Sequence, residues 1–159
     1  MNIYKNFIDK KECDKIKEVF LSNTFPWYYI SKKVEFTNDT SFLSHTFFKD
    51  GKVSSSDIGL IKSIIEKLKI KKLINVRANL TLDGKFKCSW HVDKFTHNLK
   101  YKTAIYYVNT NNGYTEFKEQ KVKCEKNKIV IFDANKKHRG IGQTDTKTRM
   151  VINFNYEYI

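Results

Sequence analysis

From Leu73 onward the chain is a series of short runs rich in β-branched and aromatic residues: LINVRANLTL, KTAIYYVN, YTEF, KIVIFDA and RMVINFNYEY. Between them stand turn signals, Asp83-Gly84, Asn111-Asn112-Gly113, Glu125-Lys126-Asn127 and Gly140-Ile141-Gly142. Runs of this length and composition are strands rather than amphipathic helices. Many short strands in sequence must stack as two sheets or close on themselves, so the expectation is a jelly roll or barrel. In the last run, strand alternation puts Arg149, Val151 and Asn153 on one face and Met150, Ile152 and Phe154 on the other. The apolar face suits packing under a helix. The face with a charge and an amide suits a lumen that holds a site, and an inward arginine there needs an anionic partner.

Before Leu73 the period changes. Asp9 to Phe20 reads as an amphipathic helix, with Asp9 as N-cap, Glu12 as its capping-box partner, and a stripe of Cys13, Ile16, Val19 and Phe20. A second helix is expected from about Ser55 to Lys69, on a stripe of Ile58, Ile61, Ile64, Ile65 and Leu68. The fold class is therefore α+β, a β-rich core with flanking N-terminal helices. At 159 residues the chain has the size of one domain and can bury a core without staples.

The first residues, MNIYKNFIDKKE, lack the apolar run and small-residue cleavage site of a signal peptide, and no stretch approaches a membrane span. Cys13, Cys88 and Cys124 are an odd, sparse set without a CxxC pair, so they read as reduced thiols rather than disulfides or structural zinc. Together these features point to a cytoplasmic protein with no membrane partner. The formal net charge of +13 raises a nucleic-acid partner. Almost all of that charge is scattered lysine, however, and the only arginines are Arg77, Arg139 and Arg149. Compositional bias accounts for such a pattern without selection for binding.

The chemistry-bearing residues come in a fixed order: His91-Val92-Asp93, then the strand KIVIFDA, then His138, then Arg149 on the closing strand. Two imidazoles and one carboxylate are the donor set of the facial triad of non-haem Fe(II) oxygenases, which leaves positions open for a 2-oxo acid and O₂. The planar fork of an arginine suits the far carboxylate of 2-oxoglutarate. Each piece alone is common; the ordered set is what points to a site.

With these residues in place, the chain resembles the prolyl-hydroxylase-like branch of the 2-oxoglutarate/Fe(II)-dependent dioxygenases, over roughly Leu73 to Tyr156. The segments that carry the resemblance are HVD at 91–93, TAIYYVN at 103–109, GYTEF at 113–117, FDANKKHRG at 132–140 and RMVINF at 149–154. It implies a double-stranded β-helix, a single domain over 1–159 with its catalytic core at about 73–156, and iron on His91, Asp93 and His138. It further implies the 2-oxoglutarate C5 carboxylate on Arg149, assisted by Tyr107. Alternation then puts Thr103 and Ile105 on the pocket side. The chain departs from the family at Thr81, where a tyrosine is common, and at Gly113-Tyr114, where a Gly-Gly pair is common.

Other residues are weaker candidates. Asn79 shares a strand face with Arg77 and Thr81, and Asn153 shares one with Arg149, so both are candidates for the pocket or substrate. His97 reads as a loop residue beside the triad, His45 as surface or core, and Arg139 as a solvated loop arginine. Trp27, Tyr28 and Tyr29 read as an aromatic core strand before a substrate lip. The resulting function is a hydroxylase of a protein or small-molecule substrate. Two alternatives stay open: a cupin-like metal dioxygenase that uses no 2-oxoglutarate, and a non-catalytic basic nucleic-acid-binding module.

Overall fold

The closing strand organises the molecule. In the structure, a computed structural model that describes residues 1–31, 41–82, 84–93 and 100–159, it is the ten-residue strand Arg149–Tyr158. Its strand neighbours are drawn from both halves of the chain. In chain order the strands are β1 (Asn2–Tyr4), β2 (Tyr28–Ile30), β3 (Phe42–Lys49), β4 (Lys52–Val53), β5 (Ile70–Thr81) and β6 (Tyr101–Tyr107). Then follow β7 (Tyr114–Phe117), β8 (Lys121–Lys123), β9 (Lys128–Asp133), β10 (His138–Ile141) and β11 (Arg149–Tyr158). A large antiparallel sheet runs β1-β9-β6-β11-β5-β3-β2, with β4 beside β3, and a small sheet runs β10-β7-β8.

The two faces of the large sheet divide as alternation requires. Val76, Ala78, Tyr106, Ile152 and Phe154 face one way and are fully buried against the two helical segments. Val76, Ile152 and Phe154 each contribute about 1.5–3 kcal/mol by leaving water. Ile105, Tyr107, Val130, Phe132 and Val151 face the other way and pack on Phe117 and Val122 of the small sheet and on Cys124 just after it. The sheets thus close over a lumen, as the expected jelly roll demands.

Helix α1 (Lys10–Phe20) forms where expected, with Cys13, Ile16 and Phe20 buried. Its N-cap Asp9 accepts from Lys11 N at 2.8 Å, one amide earlier than a capping box would use. The second helix differs from expectation. Ser56–Ile61 is a 3₁₀ segment and only α2 (Lys62–Lys67) is α-helical. Ser55 caps the early segment by accepting from Asp57 N, and Gly59 inside it weakens α-helix. The stripe still works, with Ile61, Ile64 and Leu68 buried. Trp27 packs on Phe20 and Phe25, whereas Tyr28 and Tyr29 are 62% and 68% exposed. They lie on an edge strand, so the aromatic core strand expected there ends at Trp27. Among the described residues no helix is long and apolar enough to cross a membrane.

Candidate metal centre and cosubstrate pocket

His91 and His138 are distant in sequence and adjacent in space because their backbones pair. His91 N donates to His138 O at 3.0 Å, and His138 N donates to His91 O at 2.9 Å. Asp93 N adds a bond to Ala134 O at 3.1 Å. The rings stand 4.5 Å apart between centroids, and Phe132 meets His138 edge-on at 4.8 Å.

Backbone carbonyls then fix the rings. Nδ1 of His91 lies 2.9 Å from Ser89 O, and Nδ1 of His138 lies 3.0 Å from Lys136 O. A carbonyl accepts only, so each Nδ1 carries the proton and each Nε2 keeps its lone pair for a metal. Those Nε2 atoms lie 3.7 and 4.0 Å from Asp93 Oδ1. Asp93 is oriented through its other oxygen, Oδ2, which accepts from Thr103 Oγ1 at 2.7 Å and Asn155 Nδ2 at 3.0 Å. The ligand atoms of the three residues all lie within 4.8 Å of one another. Three donors of this type, gathered on one side of a point, fit a divalent first-row metal with open positions opposite.

The same cavity reaches Arg149. It is lined by the three ligands and by Asn79, Ile105, Thr115, Arg149, Val151 and Asn153, among others. Arg149 is 4% exposed, and Nε donates to Cys124 Sγ at 3.2 Å. No ion pair joins it to a carboxylate among the described residues. A glycine makes room for it. A Cβ on Gly113 would fall 2.9 Å from Arg149 Cδ and 2.9 Å from Ile141 O, so the side chain passes only because position 113 has none. Gly140 lies against the guanidinium, where a Cβ would meet one terminal nitrogen at an ordinary contact distance of 3.7 Å.

Each residue singled out in the sequence can now be placed. Asn79, Ile105 and Asn153 line the cavity with the triad and Arg149. Tyr107 is behind that wall, fully buried, and its hydroxyl donates to Thr115 Oγ1 at 2.8 Å. Burial pushes its phenol well above the ordinary value, against a weaker pull from Arg149, so it is a neutral donor. Thr115 is the residue of this pair that reaches the cavity. Thr81 also lines it, with its hydroxyl bonded to Gln143 Oε1 at 3.2 Å.

The remaining candidates are accounted for locally. His45 is a core histidine held by Pro26 O and Ser55 Oγ, each at 2.8 Å. Arg139 is not a solvated loop residue: it pairs with Glu116 at 2.6 Å and lies over the Trp90 ring at 4.5 Å. That pairing holds the Glu116 carboxyl below its usual range. His97 lies outside the described residues. Sequence reading missed Asn155 and Cys124 and gave Thr103 a lining role rather than its hold on Asp93. Asn155 continues the parity of Arg149, Val151 and Asn153, a signal that was present.

No known family profile matches the chain, and no curated protein is similar to it in sequence. Solved structures are similar in fold. A prolyl hydroxylase from Trichoplax adhaerens, in complex with a hypoxia-inducible-factor peptide fragment, aligns with a TM-score of 0.66 at 10% identity, over 98% of this chain and 83% of that one. A 2OG-Fe(II) oxygenase family oxidoreductase from Burkholderia pseudomallei aligns at 0.69 and 7%, over 96% and 82%. The epimerase SnoN of nogalamycin biosynthesis, whose structure holds Fe³⁺ and alpha-ketoglutarate, aligns at 0.68 and 12%, over 98% and 78%. At such identities the likeness is one of fold: the chain is a double-stranded β-helix of the kind found in 2-oxoglutarate/Fe(II) oxygenases.

Proposed function

We propose that this protein is an Fe(II)- and 2-oxoglutarate-dependent oxygenase that hydroxylates or otherwise oxidises a protein or small-molecule substrate. One observation carries the reading: a buried arginine with no carboxylate partner among the described residues shares a cavity with a His-Asp-His group. A buried cation left unpaired is costly, so a ligand carboxylate is its natural complement.

In this reading His91, Asp93 and His138 hold the iron, which supplies the oxidative chemistry that consumes 2-oxoglutarate and O₂. The chain's own residues position the reactants. Ser89 O and Lys136 O set the imidazole tautomers, and Thr103 and Asn155 turn Asp93 toward the metal. Arg149 receives the far carboxylate of the cosubstrate as a charge-assisted pair. Thr115, which accepts from Tyr107, has its own proton to give to the same carboxylate. Ile105 and Val151 supply apolar wall that limits water. The three buried free cysteines suit a reducing, cytoplasmic setting.

The test is Fe(II)-dependent conversion of 2-oxoglutarate to succinate. Slow release is expected without added substrate, and His138→Ala should abolish it. If wild type binds Fe(II) and never consumes 2-oxoglutarate, a metal dioxygenase that needs no such cosubstrate becomes the better reading.

A further inference from the structure

The side chain of Arg149 is guided at three points on its way to the cavity. Its Cδ passes Gly113, where a Cβ would stand 2.9 Å away. Its Nε donates to Cys124 Sγ at 3.2 Å, and the two residues are only 4% and 3% exposed. Its terminal nitrogens lie beside Gly140, 3.7 and 3.8 Å from where a Cβ would stand. Cys124 is itself pinned at both ends of its peptide. Its N–H donates to Gly113 O at 2.9 Å, and its carbonyl accepts from Asn111 N at 3.2 Å. The turn that clears the path for the arginine therefore also places the thiol.

A guanidinium can bind a carboxylate by two edges. One joins Nε to a terminal nitrogen, and the other joins the two terminal nitrogens. With Nε given to the thiol, the first edge is closed. The terminal nitrogens make no hydrogen bond among the described residues. Neither is sealed in protein, since the fully buried polar atoms without a partner belong to Asn75, Arg77 and Asn153. They meet the open space of the cavity that Arg149 lines together with the triad. A thiol suits this task. Sulfur is a weak, uncharged acceptor, so it holds Nε and leaves the positive charge for a ligand, whereas a carboxylate in its place would neutralise it. A fork fixed before binding also loses less freedom when the ligand arrives.

We infer that Cys124 is a positioning residue of the cosubstrate site: it holds Arg149 so that only the terminal edge of the fork is offered, and thereby sets the chain length of the 2-oxo dicarboxylate that fits. This role rests on the oxygenase reading for the identity of the ligand. A 2-oxo acid held at the metal by one end must bring its far carboxylate to the fork. A fork that cannot shift accepts one length, and a homologue longer by one methylene cannot seat both ends. Without the thiol the arginine is free to withdraw or to turn its other edge, and the preference for length relaxes.

The test compares two acids, 2-oxoglutarate and the longer 2-oxoadipate, in anaerobic titrations of the Fe(II)-loaded protein read by the charge-transfer band of the chelate. Wild type should bind 2-oxoglutarate the more tightly. Cys124→Ala should weaken 2-oxoglutarate binding by roughly 3- to 10-fold, the worth of one hydrogen bond. It should also narrow the ratio between the two acids while Fe(II) affinity stays the same. Cys124→Ser keeps an acceptor for Nε and should recover most of the affinity and of the preference. Serine and alanine are both smaller than cysteine, so this rescue separates the hydrogen bond from packing. Cys124→Asp gives Arg149 an internal carboxylate and should abolish the chelate in a protein that still binds Fe(II). Wild-type affinities for both acids in Cys124→Ala, an equal loss for both, or a serine variant no better than alanine would overturn the positioning role and leave the oxygenase reading standing. A wild type that binds Fe(II) and forms a chelate with neither acid would overturn that reading, and the role of Cys124 with it.

Discussion

The two faces of β11 share ten residues of backbone and do opposite things. On one face Met150, Ile152 and Phe154 are at most 1% exposed and sit in the main apolar core. On the other, Arg149, Val151 and Asn153 line the cavity, and Asn155 steadies Asp93. The first face is satisfied by the protein itself. Among the described residues, the second carries a buried guanidinium without a carboxylate and an amide oxygen without a donor. Stability and ligand recognition are thus separated by residue parity along one strand, and substitutions on the two faces should have separable effects.

The sharpest separation is expected at Phe154. Phe154→Ala empties a fully buried site and should cost about 3–5 kcal/mol of stability. Urea denaturation will show this as a lowered midpoint, while the folded protein binds Fe(II) with unchanged affinity. Loss of metal binding without loss of stability would show that the two faces are not independent.

Asn155→Ala probes the other face at the metal end. It removes one of the hydrogen bonds that orient Asp93, and outer-shell losses of this type weaken metal binding by about 10–100-fold. Anaerobic Fe(II) titration reads the effect, and the denaturation midpoint should hardly move. Fe(II) affinity equal to wild type would mean that the bond from Asn155 is dispensable.

A smaller effect is expected one layer behind the cavity. Tyr107→Phe removes a neutral hydrogen bond to Thr115 and should weaken 2-oxoglutarate binding by about 0.5–1.5 kcal/mol. A loss as large as that of removing Arg149 would put the phenol in direct contact with the cosubstrate and revise the order of this wall.

The contrast between the faces was legible in the sequence because a strand's period is fixed at two. Arg149 and Asn153 were assigned to the lumen, and Ile152 and Phe154 to the core, from alternation alone. The ordered set His91, Asp93, His138, Arg149 is brought together because His91 bridges to His138, and His138 and Arg149 open β10 and β11. Residues whose importance comes from long-range pairing were less visible. The eight-residue strand β3 reads in sequence as a mixed serine and aromatic stretch, yet pairing with β5 makes it a wall of an outer cleft. Cys124 meets Arg149 only because β8 and the turn after it fold against β11. Tyr107 and Thr115 lie in different sheets, so the placement of one behind the other depends on how the sheets pack, which no local pattern encodes.

The central claim is that the Arg149 guanidinium, which has no carboxylate partner among the described residues, is a cosubstrate site, and the visible charge-transfer band of the Fe(II)–2-oxoglutarate chelate tests it most directly. Under anaerobic titration wild type should develop the band saturably. Arg149→Ala should keep its Fe(II) and lose about 2–5 kcal/mol of 2-oxoglutarate affinity, roughly 30- to several-thousand-fold. Arg149→Lys should recover part of that loss, because the charge remains while the fork is gone. A wild-type protein that binds Fe(II) and never forms the chelate, or an Arg149→Ala variant that forms it with wild-type affinity, would contradict the account.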